Sequence, residues 1–270
     1  MKHVRKETPR SCLSLFLSAR CHINPGVIYR GFLLLWLIAT CPIQAQETDI
    51  ELQALMWFTE GDFEKSRDAF ETILESVPEH PVALYHLGRM SEDRLAEQFY
   101  LKLLSHAPKH KHSADALLRI VKIYYRNGRH KEAVQASNRL LAVYPGTNLE
   151  VEARYWLGLT LLADKQSELA RLTFIQLLQV HPQTDYEIPT RIGIAESYRT
   201  EESFVEAARA YLQLEPDLRK SDSLRIVLFR AGQCLEEAGR SQEAGHVYNR
   251  LRDRFPDSDE ARSLDNTGNM

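Results

Sequence analysis

From Glu47 onward apolar residues recur at three- and four-residue spacing, and no stretch alternates apolar with polar. That period belongs to helices, and it predicts an all-helical chain. The pattern breaks at Pro78, Pro108, Pro145, Pro182, Pro216 and Pro256, in steps of 30, 37, 37, 34 and 40 residues. A proline lacks the N–H that a helix interior needs and its ring crowds the preceding turn, so each one predicts a helix end. Regular stops of this kind imply a repeated unit.

Inside each unit a small residue is followed four places later by an aromatic and three further on by an aliphatic. Ala170, Phe174, Leu177 and Pro182 give the full set, and Ala244, Tyr248, Leu251 and Pro256 repeat it. Ser66, Phe70, Ile73, Pro78 and Ala96, Tyr100, Leu103, Pro108 conform as well. The third unit, Ala133, Ser137, Leu140, Pro145, lacks the ring; in the fifth, Ala207, Tyr211 and Leu214 are followed early by Pro216. Twelve residues before the small residue stand Gly158 and Gly232. The expectation is a helical hairpin: a front helix carrying the glycine, a polar turn such as "RNGRH", "ADKQS" or "EAGRS", and a back helix whose aromatic fills the groove between the two. Between Gly88 and Ala96 the second unit is four residues short, which predicts an abbreviated front helix or turn.

This constellation resembles the tetratricopeptide repeat, a unit of ~34 residues reading W-x2-L-G-x2-Y, then A-x3-F, then P. Six units in phase cover 47–256, with 257–270 as a polar C-terminal cap. The tryptophan of the pattern is absent from its own place, and Trp156 lies two positions later. The resemblance implies a right-handed superhelical solenoid in which neighbouring hairpins share one core. It also implies a concave face, lined by the front helices, that binds partner peptides. Carried over position by position, that face comprises Leu118, Lys122, Tyr125 and Arg126, then Tyr155, Leu159 and Leu162. In units five and six it continues with Ile192, Glu196 and Arg199, and with Phe229, Gln233 and Glu236. Lys122, Tyr125, Arg126 and Tyr155 would bring two cations beside two rings, a patch suited to an acidic or C-terminal peptide. Against this stands the plain alternative that Lys122 and Arg126, an i, i+4 pair, form a solvated helix face. The linkers "AVYPGTNLEVEARYWLGL" and "DRFPDSDEAR" are similar to those of exported bacterial envelope repeat proteins, of the outer-membrane β-barrel assembly lipoprotein or Tol-Pal-associated coordinator type.

Residues 1–46 differ from the rest. A basic flank at Arg30, the run "GFLLLWLIAT" and "CPIQAQ" read as a secretory signal cut after Ala45, with 1–26 attributable to a start placed too early. The apolar run from Phe32 to Cys41 is ten residues long, far below the ~20 of a spanning helix. Cys41 is also a candidate for lipidation, which would attach the protein peripherally to a membrane, although Thr40 departs from the small residue that such a signal has there. Either way the expected location is periplasmic, at or near the outer membrane. Cys12, Cys21 and Cys41 lie in the leader, so Cys234 remains without a partner for an intramolecular disulfide, and its apolar surroundings predict a buried, inert thiol.

Composition narrows the function. Of 270 residues 44% are hydrophobic and 26% charged, and the net charge of -3 gives no electrostatic footprint for nucleic acid. No nucleophile elbow, P-loop, dinucleotide fingerprint or H-E-x-x-H motif is present. Carboxylates in "SEDRLAEQ", "RTEESF" and "FPDSDEA" read as solvated faces, and His106, His110 and His112 in "SHAPKHKHS" as an exposed linker rather than a metal site. No catalytic residue, metal or cofactor is expected. The sequence thus points to a non-enzymatic exported scaffold for envelope proteins, the alternative being an accessory or adaptor subunit of a cell-wall or polysaccharide enzyme complex.

Overall fold

A computed structural model describes residues 49–218 and 222–267. The chain divides into two compact units, Met1–Gln53 and Ala54–Met270. Of the first, residues 49–53 are described and are helical; the expected leader, its cleavage point and Cys41 lie outside the described residues.

Among the described residues all regular structure is helical. After α1 (49–60) come α2 (Phe63–Ser76), α3 (Pro81–Arg89), α4 (Asp93–His106), α5 (Ser113–Arg126), α6 (His130–Val143), α7 (Glu150–Ala163), α8 (Ser167–Val180), α9 (Glu187–Thr200), α10 (Phe204–Leu212), α11 (Ser223–Glu237), α12 (Ser241–Arg254) and α13 (Asp259–Thr267). Each helix from α3 to α12 packs on the one before and the one after it, so consecutive hairpins stack into a solenoid. The front helix α7 also touches α5 and α9 directly, whereas no comparable contact joins the back helices α6, α8 and α10. Closer approach on one side curves a stack toward that side, and the front helices therefore line its inner face.

The repeated small, aromatic and glycine positions explain the hairpins. Tyr100 of α4 lies against Gly88 of α3, Phe174 of α8 against Gly158 of α7, and Tyr248 of α12 against Gly232 of α11. A Cβ built on Gly88 would stand 2.5 Å from the Tyr100 ring. Each ring is buried, and glycine is what leaves it room. Gly128 and Gly239 serve differently: with φ of 71° and 72° they reverse the chain between front and back helices in a conformation costly for residues with a Cβ. Gly245, in α12, does neither, and a Cβ there would meet nothing within 4 Å. Gly245→Ala should raise the unfolding free energy by about 0.5–1 kcal/mol through helix propensity alone; a lower urea midpoint would contradict an open site.

Two irregularities have local causes. The nine-residue α3 is the abbreviated front helix expected from the deletion. α10 stops at Leu212, because Pro216 cannot donate to the Leu212 carbonyl and disfavours helical geometry at Glu215; Leu214 and Leu218 still reach the core. The C-terminal segment forms α13, which packs on α11 and α12 and buries Ala261. Cys234 is free and buried, and that burial raises its thiol pKa.

The carboxylate runs are not merely solvated. From "SEDRLAEQ", Asp93 pairs with Arg126 of α5 and Glu97 with Arg129 in the turn between α5 and α6. In "RTEESF" it is Glu201 that holds Arg171 of α8 at 2.5 Å, and in "FPDSDEA" Glu260 of α13 holds Arg225 of α11. These pairs tie one hairpin to the next. Partly exposed, each contributes up to ~1 kcal/mol.

Candidate functional site

Heptad-like spacing sets Asp115, Arg119, Lys122 and Arg126 in one stripe along α5, while Ala114, Leu117, Leu118 and Val121 turn into the core. On α7 the matching stripe is Glu152, Tyr155, Trp156 and Leu159, and on α9 it is Ile188, Ile192, Glu196 and Arg199. Direct packing of α5 on α7 brings the first two stripes together.

At their junction Lys122 Nζ donates to Glu152 Oε1 at 2.5 Å and stands 5.5 Å from the centre of the Trp156 ring. Tyr125 meets Trp156 edge-on at 5.5 Å; Tyr155 lies 6.2 Å from Trp156 and 4.9 Å from Tyr186, which opens α9. The result is a row of four rings across three successive hairpins with one ion pair at its flank. Burial first, and then the charge of Glu152, push the Tyr186 hydroxyl up to about 12; burial and the nearby Tyr125 raise Tyr155. All four rings are half-buried, so each keeps surface open to solvent.

The expected positions divide accordingly. Lys122, Tyr125 and Tyr155 come together, but through Trp156, two positions beyond the place of the tryptophan in the repeat pattern. Arg126 does not join them: it turns to α4 and forms a pair of hydrogen bonds with Asp93. Lys122 and Arg126 thus each pair with a carboxylate of a neighbouring helix, Lys122 with Glu152 of α7 and the more exposed Arg126 with Asp93 of α4. Leu118 is a correction, since at 1% exposure it belongs to the core beneath α5 and offers nothing to a partner. Leu159 and Leu162 are half-buried against the α7–α8 core, and Phe229 and Ile192 against the C-terminal one. Arg199 pairs with Glu196 of its own helix, and Glu196 also faces Arg230. Gln233 and Glu236 are exposed, the latter accepting from the Tyr248 hydroxyl. Glu152 and Tyr186 were missed. One signal would have found Glu152: opposite charges about one unit apart, since Lys122–Glu152, Asp93–Arg126, Glu97–Arg129 and Arg171–Glu201 are 30 to 33 residues apart.

North of this row, toward α3, lies a histidine cluster. His112 stacks on Tyr85 with ring centres 4.1 Å apart, and His86 stacks on Phe70 and meets Phe58 edge-on. The linker histidines are therefore not uniformly exposed: His106 pairs with Glu79, while His112 is drawn in by the Tyr85 ring. Among the described residues no group is arranged to hold a metal. Burial lowers both His86 and His112 to about 4, helped for His86 by the positive charge of His112, Arg89, Lys111 and Arg119, and for His112 by His110 and Lys111. The unfolded chain takes up these protons near pH 6.5, the folded chain only near 4, so folding stability falls as pH drops through that window. The slope is at most about 1.4 kcal/mol per pH unit for each histidine. Urea midpoints at pH 7.5 and 5 should differ in this direction, and His112→Gln should flatten the dependence; a flat wild-type profile would refute it.

Comparison with known proteins agrees with this architecture. The sequence pattern of the tetratricopeptide repeat matches residues 115–147, 152–184 and 227–258, that is α5–α6, α7–α8 and α11–α12. Among curated proteins no sequence matches the chain. Its fold is similar to that of PilW, a widely conserved type IV pilus biogenesis factor, at 17% identity and a TM-score of 0.61 over 81% of this chain and 97% of PilW. A tetratricopeptide repeat protein from Parabacteroides merdae is similar at 18% identity and 0.62, over 77% and 79% of the two chains. YrrB, a protein of the same repeat with an unusual peptide-binding site, aligns at 17% identity and 0.55 over 74% and 99%.

Proposed function

We propose that this tetratricopeptide-repeat protein is a non-catalytic scaffold of the bacterial cell envelope, exported by the leader at 1–46, that holds an extended segment of a protein partner on the inner face of 47–256. The observation that carries this reading is the row Tyr125, Trp156, Tyr155 and Tyr186 with the Lys122–Glu152 pair beside it. Half-buried rings on rigid helices offer apolar area at little entropic cost, and the flanking charges orient a bound backbone or side chain. YrrB lends support as a repeat protein with a peptide site, and PilW as a relative in fold concerned with a surface appendage. No described helix is long and apolar enough to cross a membrane.

Photocrosslinking from position 155 in cells should capture a discrete partner, and the same probe at the exposed Leu172 of the back helix α8 should not. Equal capture from both positions would sink the inner-face reading. Mass spectrometry of the mature N-terminus should show Gln46 or a lipidated Cys41; an intact leader would remove export from the proposal.

A further inference from the structure

The second hairpin lacks one helical turn, and the gap is not filled. Eight residues separate Gly88 from Ala96, against twelve between Gly158 and Ala170 or Gly232 and Ala244. Accordingly α3 ends at Arg89 after nine residues, where α5 and α7 run for fourteen. A missing turn removes about 5.4 Å of helix. In its place is a cleft of about 150 Å³ that reaches down to Gly88 and Tyr100 and is walled by Arg89, Arg119, Lys122, Arg126 and Asp93.

The charges of this cleft are unbalanced. Arg126 pairs with Asp93, Arg119 with Asp115 through its Nε, and Lys122 with Glu152. Arg89 has rings instead: its guanidinium lies 4.5 Å from the centre of Phe58 and 5.9 Å from that of Tyr85. A ring face holds a cation without neutralising it. Four cations against three carboxylates leave one positive charge in excess, on an exposed side chain that lies over the Phe58 ring. Guanidinium groups present planar forks of donors that match an oxyanion two bonds at a time, and here the Arg89 and Arg126 guanidiniums border one small concavity on the inner face, Arg126 giving Nε and Nη2 to Asp93 and keeping Nη1 for a second acceptor.

We propose that this cleft is a carboxylate subsite, receiving an Asp or Glu side chain of the partner segment and bridging it between Arg89 and Arg126. The proposal rests on the inner face being a peptide surface and adds the chemistry of the peptide: an acidic residue toward the α3 end, with apolar or aromatic contacts toward α7.

The test uses fluorescein-labelled hexaglutamate and hexaglutamine in anisotropy titrations with the mature protein, and unlabelled inorganic phosphate as competitor. Hexaglutamate should bind and hexaglutamine should not. Arg89→Gln and Arg126→Gln should each weaken hexaglutamate by about tenfold or more, the loss of one charge-assisted contact. Arg139→Gln, an exposed cation on the back helix α6, should change it less than about twofold. Because Arg89 also packs on Phe58 and Arg126 also ties α5 to Asp93, the urea midpoint of each variant is read beside its titration: weakened binding at an unchanged midpoint is recognition, and weakened binding only with a lowered midpoint would overturn the subsite. Absent hexaglutamate binding, equal losses for Arg139→Gln, or phosphate outcompeting hexaglutamate would each overturn the subsite. A partner crosslinked at position 155 together with hexaglutamate binding indifferent to Arg89 and Arg126 would discard the subsite and keep the scaffold; the reverse result would do the opposite.

Discussion

Phe174→Ala should destabilise the protein by about 3–5 kcal/mol, the cost of emptying a closely packed aromatic site. The ring is fully buried and lies between two front helices, against Gly158 of its own hairpin and Gly193 of the next, 2.6 Å from where a Cβ of Gly193 would stand. Its position matters beyond its area. Buried residues form one large cluster from Leu84 to Ala153 and another from Ala195 to Leu251, and the small set Leu157, Leu161, Ala170 and Phe174 lies between them in sequence. In a solenoid, stability is a sum over units and nearest-neighbour interfaces, so weakening this junction should uncouple the two ends. Urea unfolding followed by circular dichroism should change from one transition to two, with a reduced apparent m-value. A single transition displaced by less than about 1 kcal/mol would refute both the packing role and the uncoupling.

Gly158→Ala should destabilise by roughly 1–2 kcal/mol even though alanine is the better helix former. The added Cβ would stand 2.2 Å from the Phe174 ring, and the other side of that ring lies against Gly193. Overpacking of this kind costs about 1–3 kcal/mol, and helix propensity returns about 1 of it. The same substitution at Gly245 carries the propensity gain without the clash, so the two should have opposite signs in one unfolding assay. Phe174→Leu should lose stability in the wild-type background but recover part of it when combined with Gly158→Ala, since the smaller side chain leaves space for the methyl group. Strict additivity of the two changes would show that they do not share a contact.

The inner face is partly legible in the sequence. Front-helix positions on α5 and α7 followed from the repeat, and Lys122, Tyr125 and Tyr155 do meet near one another. Leu118 was assigned to the same face by the same rule and is buried. The rule gives the angle of a side chain about its own helix, and whether that angle is open depends on how closely the next front helix comes. Trp156 illustrates the converse: one place away from Tyr155, it became the centre of the ring row because α5 approaches from its side.

What the sequence determined by itself is the hairpin. Proline spacing, the small and aromatic positions and the glycines opposite them are contacts within about 35 residues, set by the 3.6-residue period and by the volume that a missing Cβ releases. What only the tertiary structure decided is everything that passes between hairpins: Lys122 turning to α7 while Arg126 turns to α4, the carboxylate runs acting as ties, His112 stacked on Tyr85, and the cationic cleft where α3 ends early. These depend on the rotation and separation of neighbouring units. That geometry arises from the packing of the whole stack, and no local period in the chain records it.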